Sequence, residues 1–358
     1  MKSSSALDHK RREAACGTGF NVRLWCNRDP CGLICAVLSW FLILYAEMVV
    51  VGVILYPWMG FSLQGLFHMT AFSALCFLAL VSHGKAMLTD PGAVPETAMP
   101  LALANAPKED IARYYKIDVV FIVRVEETYP WNACRLEDQK YRTCRRCRQF
   151  KPARAHHCSI CERCVIKMDH HCPWVNNCVG LGNHKFFLLF IFYVFLMSTY
   201  ALILVFFRYA RCMNVSCPTH AALRVICLVV EAILFGLFTL CMMCDQYSVI
   251  TTGATQIDRL KGEVNNNLGI REVFGGASSK FSIYWLLPVD IWFPTSVKHQ
   301  LLGYVLEEEL MFSEDELTET DSFLSPDSPS DKPLTTKETL EGGWSVEKHV
   351  SNGETESA

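Results

Sequence analysis

Four long apolar stretches restrict the possible folds of this chain more than any other feature. They cover Gly32–Tyr56, Phe61–Val81, Phe186–Phe207 and Leu223–Met243. A helix crossing the hydrocarbon core of a bilayer needs ~20 mostly apolar residues, and each stretch reaches that length almost without charge. One such run alone could be a core helix of a soluble domain. Four in 358 residues, 51% of which are hydrophobic, predict an all-α polytopic membrane protein with four transmembrane helices. The first thirty residues are polar, include Lys10, Arg11 and Arg12, and lead into a run too long for a signal core, so the first span is expected to stay as an anchor.

Basic residues set the orientation, because Lys and Arg gather on cytoplasmic flanks. The segment between spans two and three holds 16 of them, Pro57–Gly60 holds none, and the polar connection between spans three and four holds only Arg208 and Arg211. Both termini and the central segment are therefore expected on the cytosolic face. Cys212 and Cys217 fall on the other side, where a disulfide and two free thiols both suit the sequence. The net charge of −3 hides an asymmetry: from Glu307 onward 15 acids stand against 3 bases. That tail, rich in Ser, Thr and Pro, is expected to be disordered.

The organisation predicted is a cytosolic N-terminal segment (1–31), helices one and two (32–81), a cytosolic linker (82–143), a cysteine-rich domain (144–180) and helices three and four (186–243). A cytosolic segment (244–306) follows, packing on the membrane domain with Tyr284-Trp285-Leu286-Leu287 at the interface, and then the acidic tail (307–358). Within the linker, the apolar patch Ile117–Val123 is too short to span. Glu47, His68 and Glu231 interrupt the apolar runs. An ionisable group at that depth is a functional suspect, and a protonated or interhelically hydrogen-bonded carboxyl is the reading favoured here.

Chemistry concentrates between residues 144 and 178, where 7 of the 18 cysteines lie beside several histidines. The pattern is Cys144-x-x-Cys147, His157-Cys158-x-x-Cys161-x-x-Cys164, Asp169-His170-His171-Cys172 and Cys178. C-x-x-C turns bring two sulfurs to one ion, and structural zinc takes four ligands, so the cluster reads as metal-binding and cytosolic. Six cysteines (144, 147, 158, 161, 164 and 178) plus two histidines make two complete zinc shells, which leaves Cys172 over. A free thiol beside His170 and Asp169 has the groups a nucleophile needs: a base to take its proton and a carboxylate to orient that base. A purely structural zinc module in a membrane adaptor, which needs no free cysteine, stays open at this point. A metal transporter would prefer ligands within the spans, which offer only scattered Cys35, Cys76, Cys227 and Cys241.

The run from His156 through Asp169-His170-His171-Cys172-Pro173-Trp174 to Asn176-Asn177-Cys178-Val179-Gly180 resembles the signature of the DHHC protein S-acyltransferases, with further likeness at Thr89-Asp90-Pro91-Gly92 and Asn183–Phe187. The resemblance implies four membrane helices with a cytosolic cysteine-rich domain between helices two and three. It implies two structural zinc ions, one held by Cys144, Cys147, His157 and Cys164, the other by Cys158, Cys161, His171 and Cys178. It makes Cys172 the acyl-carrying nucleophile, His170 its base and Asp169 the orienting partner, with palmitoyl-CoA or another long-chain acyl-CoA as donor and membrane-proximal cysteines of cytosolic-face proteins as acceptors. A Golgi or other endomembrane location follows from the family alone. In a module tethered between membrane helices, the basic residues Arg142, Arg145, Arg146 and Arg148 point to lipid, acyl-CoA phosphates or protein substrates and not to nucleic acid. Two places depart from the family: its Thr-Thr-x-Glu reads Thr255-Gln256-Ile257-Asp258 here, and Gly269 stands where an asparagine is usual, with Asn267 nearby.

Overall fold

A computed structural model describes residues 25–103, 141–212, 222–262, 269–276 and 279–306. The N-terminal segment before Trp25, most of the 96–140 stretch, Cys217 with the disulfide question, Asn267 and the acidic tail lie outside the described residues.

Four helices, α1 (Pro30–Met59), α2 (Leu63–Leu88), α3 (His184–Cys212) and α4 (Ala222–Thr252), are long and apolar enough to cross a membrane. The chain is a polytopic membrane protein. Asp29 caps α1 by accepting from Gly32 N at 2.7 Å, with Pro30 in the first turn where its missing N–H costs nothing. Ser62 caps α2 through Gly65 N at 3.1 Å. Just beyond Glu47, α1 loosens into a π-helical stretch, Met48–Leu55. α3 supplies much of the core, with Phe186, Phe187, Leu189, Ile191, Met197, Ala201 and Leu204 all buried. Leu63, Phe67, Phe206, Leu223 and Leu234 point outward and exposed, as expected of helices that are apolar all round.

The helices outrun their apolar windows because polar side chains near their ends find partners. α2 continues past Val81 through His83, which accepts from Trp40 Nε1 at 2.7 Å and lies 2.8 Å from the Trp174 carbonyl, and through Lys85, paired with Asp290 at 2.7 Å. The intramembrane groups are similarly placed. Glu47 accepts from the Ser73 hydroxyl, His68 Nδ1 meets Tyr200 Oη at 2.6 Å, and Glu231 faces a cavity.

The description all-α holds for the spans only and is corrected here for the cysteine-rich region. β1 (Ala98–Pro100) pairs antiparallel with the distant β8 (Tyr304–Leu306). Three consecutive hairpins follow: β2 (Thr143–Cys144) with β3 (Gln149–Phe150), β4 (Ala155–Cys158) with β5 (Arg163–Ile166), and β6 (His170–Cys172) with β7 (Asn177–Val179). Strands of two to four residues are too short to show alternation in sequence, which needs about 4–8 residues.

This domain is anchored to the end of α2. Asn177 Nδ2 lies within 3.2 Å of the carbonyls of Ala86, Met87 and Thr89, and Asn183 Nδ2 donates to those of Ala86 and Cys178. Carbonyls left open at a helix C-terminus are thereby satisfied. Asp90 completes the joint: one oxygen accepts from Gly92 N and Ala93 N at 2.8 Å each, the other from Arg163 at 3.0 Å. After α4 come α5 (Gln256–Lys261), α6 (Arg271–Phe274) and α7 (Thr295–Leu302). Lys185 Nζ reaches the Val289 carbonyl at 3.0 Å and Tyr193 donates to the Leu286 carbonyl, so the segment after α6 packs along the start of α3.

Candidate active site and metal centres

The hairpins gather the cysteines into two separate groups. Cys144, Cys147, His157 and Cys164 present ligand atoms within 4.8 Å of one another, and so do Cys158, Cys161, His171 and Cys178. In the first, His157 Nδ1 lies 3.7 and 3.1 Å from the sulfurs of Cys144 and Cys147, and the sulfurs of Cys147 and Cys164 are 3.8 Å apart. In the second, His171 Nδ1 lies 3.7, 3.4 and 3.6 Å from those of Cys158, Cys161 and Cys178. With Zn–S of ~2.3 Å and Zn–N of ~2.0 Å, a tetrahedron has edges of about 3.5–3.8 Å, so both groups suit a divalent cation of that kind. The residues after the second cysteine of each knuckle, Arg148 and Glu162, take φ of 56° and 55°. Such left-handed non-glycine positions cost energy and persist where the surroundings over-determine them. Sulfur crowding also splits the thiols: the bond with Cys164 holds Cys147 down at about 5, while the one with Cys158 pushes Cys161 up to about 12. Protons held in such a set are those a metal displaces.

Cys172 belongs to neither group. It ends β6, whose first residue, His170, turns back to Asp169: His170 Nδ1 donates to Asp169 Oδ2 at 2.8 Å, and the ring is near enough to the Cys172 sulfur to interact with it electrostatically. Asp169 is buried and both its oxygens accept hydrogen bonds. Oδ2 also accepts from Gln246 Nε2 at 2.9 Å and Oδ1 from the backbone N–H of Gln256 at 2.8 Å. Burial opposes its charge, yet the bond from His170 and the Gln256 N–H hold it well below the usual carboxylate range. For His170, burial works downward and is overcome by Asp169 and the Cys172 sulfur, which push it up to about 9. The arrangement can take a proton from a thiol and hold the resulting imidazolium in place.

On its other side Cys172 opens onto a mainly apolar cavity, lined by Ile43, Phe187, Val194, Ala201, Phe235 and Met242 among others. From Phe187 to Ala201 the lining of α3 extends about 21 Å at ~1.5 Å per residue. One end holds the sulfur; the rest is mainly hydrocarbon, interrupted by the hydroxyls of Ser39, Ser198 and Thr239 and the Glu231 carboxyl.

Matches to known proteins agree with this geometry. The family model for the DHHC palmitoyltransferase domain matches residues 137–263. The palmitoyltransferase ZDHHC3 of Rattus norvegicus is 40% identical over 279 residues, 74% of this chain and 83% of its own length. The chain belongs to the DHHC palmitoyltransferase family. The palmitoyltransferase ZDHHC7 of Mus musculus is 39% identical over 279 residues, covering 74% of this chain and 81% of that one, and probable protein S-acyltransferase 12 of Arabidopsis thaliana is 40% identical over 156 residues, 41% and 53%. As a DHHC family member, the protein is a membrane-embedded protein S-acyltransferase that acts on protein substrates.

Both departures from the DHHC pattern have a physical explanation. Gln256 serves Asp169 through its backbone N–H, which any residue but proline supplies. Asp258 keeps the carboxylate's work despite a shorter arm, closing a capping box with Thr255 and accepting from Arg154 at 3.1 Å. Gly269 has φ of +57°, a region that glycine and asparagine both enter.

The sequence reading missed several supporting residues. Gln246, fully buried in α4, bridges Asp169 and His184, whose Nε2 lies 2.6 Å from Gln246 Oε1. Glu272 in α6 receives Lys167 and Arg154, and Arg154 also donates to the Gly253 carbonyl, so the hairpin domain is tied to the segment after α4. Gln246 and Glu272 lie far from Cys172 in sequence, and nothing local marks them.

Proposed function

We propose that Cys172 carries the acyl group, His170 is its base and Asp169 orients that base. The observation behind this reading is that the Cys172 sulfur lies outside both ligand groups, stands beside the hydrogen-bonded His170–Asp169 pair and faces the mainly apolar cavity. In the first step His170 takes the thiol proton, and the sulfur attacks the carbonyl carbon of a long-chain acyl-CoA such as palmitoyl-CoA. The CoA sulfur departs and recovers that proton. In the second step a cysteine thiol of the substrate protein gives its proton to His170 and attacks the Cys172 thioester, and Cys172 leaves protonated. Each step exchanges one thioester for another, so positioning and deprotonation do most of the catalytic work.

The acyl chain lies in the cavity, where each buried CH₂ contributes ~0.8 kcal/mol. Cys144, Cys147, His157 and Cys164 hold one zinc ion and Cys158, Cys161, His171 and Cys178 the other. Their chemistry is structural: closed shells staple the hairpins and fix the backbone on both sides of Cys172. The basic central segment supports placing this domain, both termini and the 244–306 segment on the cytosolic face, where the acceptors are cysteines close to the bilayer and nucleic acid has no part. The Golgi or another endomembrane is the compartment in this proposal, on the family likeness.

Incubating the purified protein with palmitoyl-CoA and mapping adducts by mass spectrometry tests this reading. A hydroxylamine-labile acyl group on Cys172 that a cysteine peptide removes is expected. An adduct elsewhere that turns over while Cys172 stays free would contradict it.

A further inference from the structure

The chemistry at Cys172 leaves two neighbouring thiols without a role. Cys31 and Cys35 lie in the first turns of α1, on the same face because residues four apart stack on a helix. Cys31 is exposed and Cys35 half-buried. Cys35 stands between Gly32 and Ser39, both on the buried face of α1. Its carbonyl accepts from the Ser39 hydroxyl at 3.0 Å, and Ser39 lines the same cavity as Cys172. The sulfurs of Cys35 and Cys172 are near enough to interact electrostatically.

The juxtaposition is held rigidly. Asn176, in the turn after Cys172, donates to the Asn27 carbonyl at 2.8 Å. A Cβ on Gly32 would stand 2.1 Å from Asn176 Oδ1, so only glycine allows this approach of α1 to the turn. Three thiols are therefore grouped where the cavity meets the cytosolic end of α1. Beside them Ile34, Val37 and Phe41 are exposed on the outer side of the same helix.

We propose that Cys35, with Cys31 beside it, is an internal acyl acceptor of this enzyme. The inference rests on Cys172 being the acyl carrier. The Cys35 thiol gives its proton to His170, and its sulfur attacks the thioester carbonyl on Cys172. A carbon–sulfur bond forms at Cys35 as the one at Cys172 breaks, and the Cys172 sulfur recovers the proton. No reactant beyond the first acyl donor is consumed. An acyl chain on Cys35 then lies against the outer face of α1 next to Ile34 and Phe41, and Cys172 is free for another cycle.

The full-length enzyme in detergent, given alkyne-tagged palmitoyl-CoA and mapped by peptide mass spectrometry, tests this against a Cys31→Ser/Cys35→Ser double variant and against Cys172→Ser. The wild type is expected to carry hydroxylamine-labile label on Cys172 and on the Cys31/Cys35 peptide. The double variant should keep the Cys172 label, and Cys172→Ser should lose both, even when mixed with wild-type enzyme. Label confined to Cys172 in the wild type overturns the internal acceptor and leaves the nucleophile standing. Label on Cys35 in Cys172→Ser, alone or in the mixture, overturns transfer within one chain. Wild-type label that never includes Cys172 overturns the assignment of the nucleophile itself.

Discussion

At the scale of single residues, the site depends on how completely Asp169 is satisfied. Three bonds hold its two oxygens, from His170, Gln246 and the Gln256 N–H. His170→Ala should keep both metals and slow autoacylation by about 10²-fold or more, the usual contribution of a positioned base; single-turnover labelling beside a zinc assay measures this. Gln246→Leu leaves the His170–Asp169 bond but removes a donor to a buried carboxylate. A loss of about 1–3 kcal/mol in stability is expected there, read as a lower thermal midpoint, with autoacylation slowed less than in His170→Ala. The residues proposed as nucleophile, base and orienting acid stand out in the sequence because they are contiguous, from Asp169 to Cys172. Gln246 does not, since it falls just past the apolar run ending at Met243, and an amide among polar neighbours gives no local signal of the carboxylate it will meet.

At the scale of elements, the short hairpins carry the candidate metal ligands and the Asn177 and Asn183 bonds seat them on the end of α2. Cys161→Ala should reduce zinc from two ions per chain to one and unfold part of the domain, because ligand loss removes folding energy; atomic absorption and limited proteolysis report both effects. Asn177→Ala removes the side chain that serves three carbonyls of α2 and its C-cap, at a cost of about 1–3 kcal/mol, visible as earlier thermal aggregation with metal content unchanged. The four spans were readable from length and apolarity alone, but their true ends were not. His83 and Lys85 look like helix-ending residues in sequence, and only Trp40, Trp174 and Asp290, distant in the chain, make them part of α2. The hairpins were invisible for a different reason. Their strands hold at most two alternations of side chains, and the Cys and His spacing carries the information that strand periodicity ordinarily would.

At the scale of the whole molecule, the bundle surrounds a cavity with Cys172, the proposed acyl carrier, at one end, and the hairpin domain brings that sulfur to it. Ala201 is buried about 21 Å along α3 from Phe187, so Ala201→Phe should shorten the preferred acyl chain. Competition between acyl-CoA donors of graded length measures the shift, at ~0.8 kcal/mol for each CH₂ excluded. The division of labour between metal shells and the free sulfur is tested most directly by Cys172→Ser, assayed for zinc and for acyl transfer in one preparation. Two zinc ions per chain with no hydroxylamine-labile acyl group is the predicted result. Lost zinc, or acyl labelling that persists at the wild-type level, would contradict it.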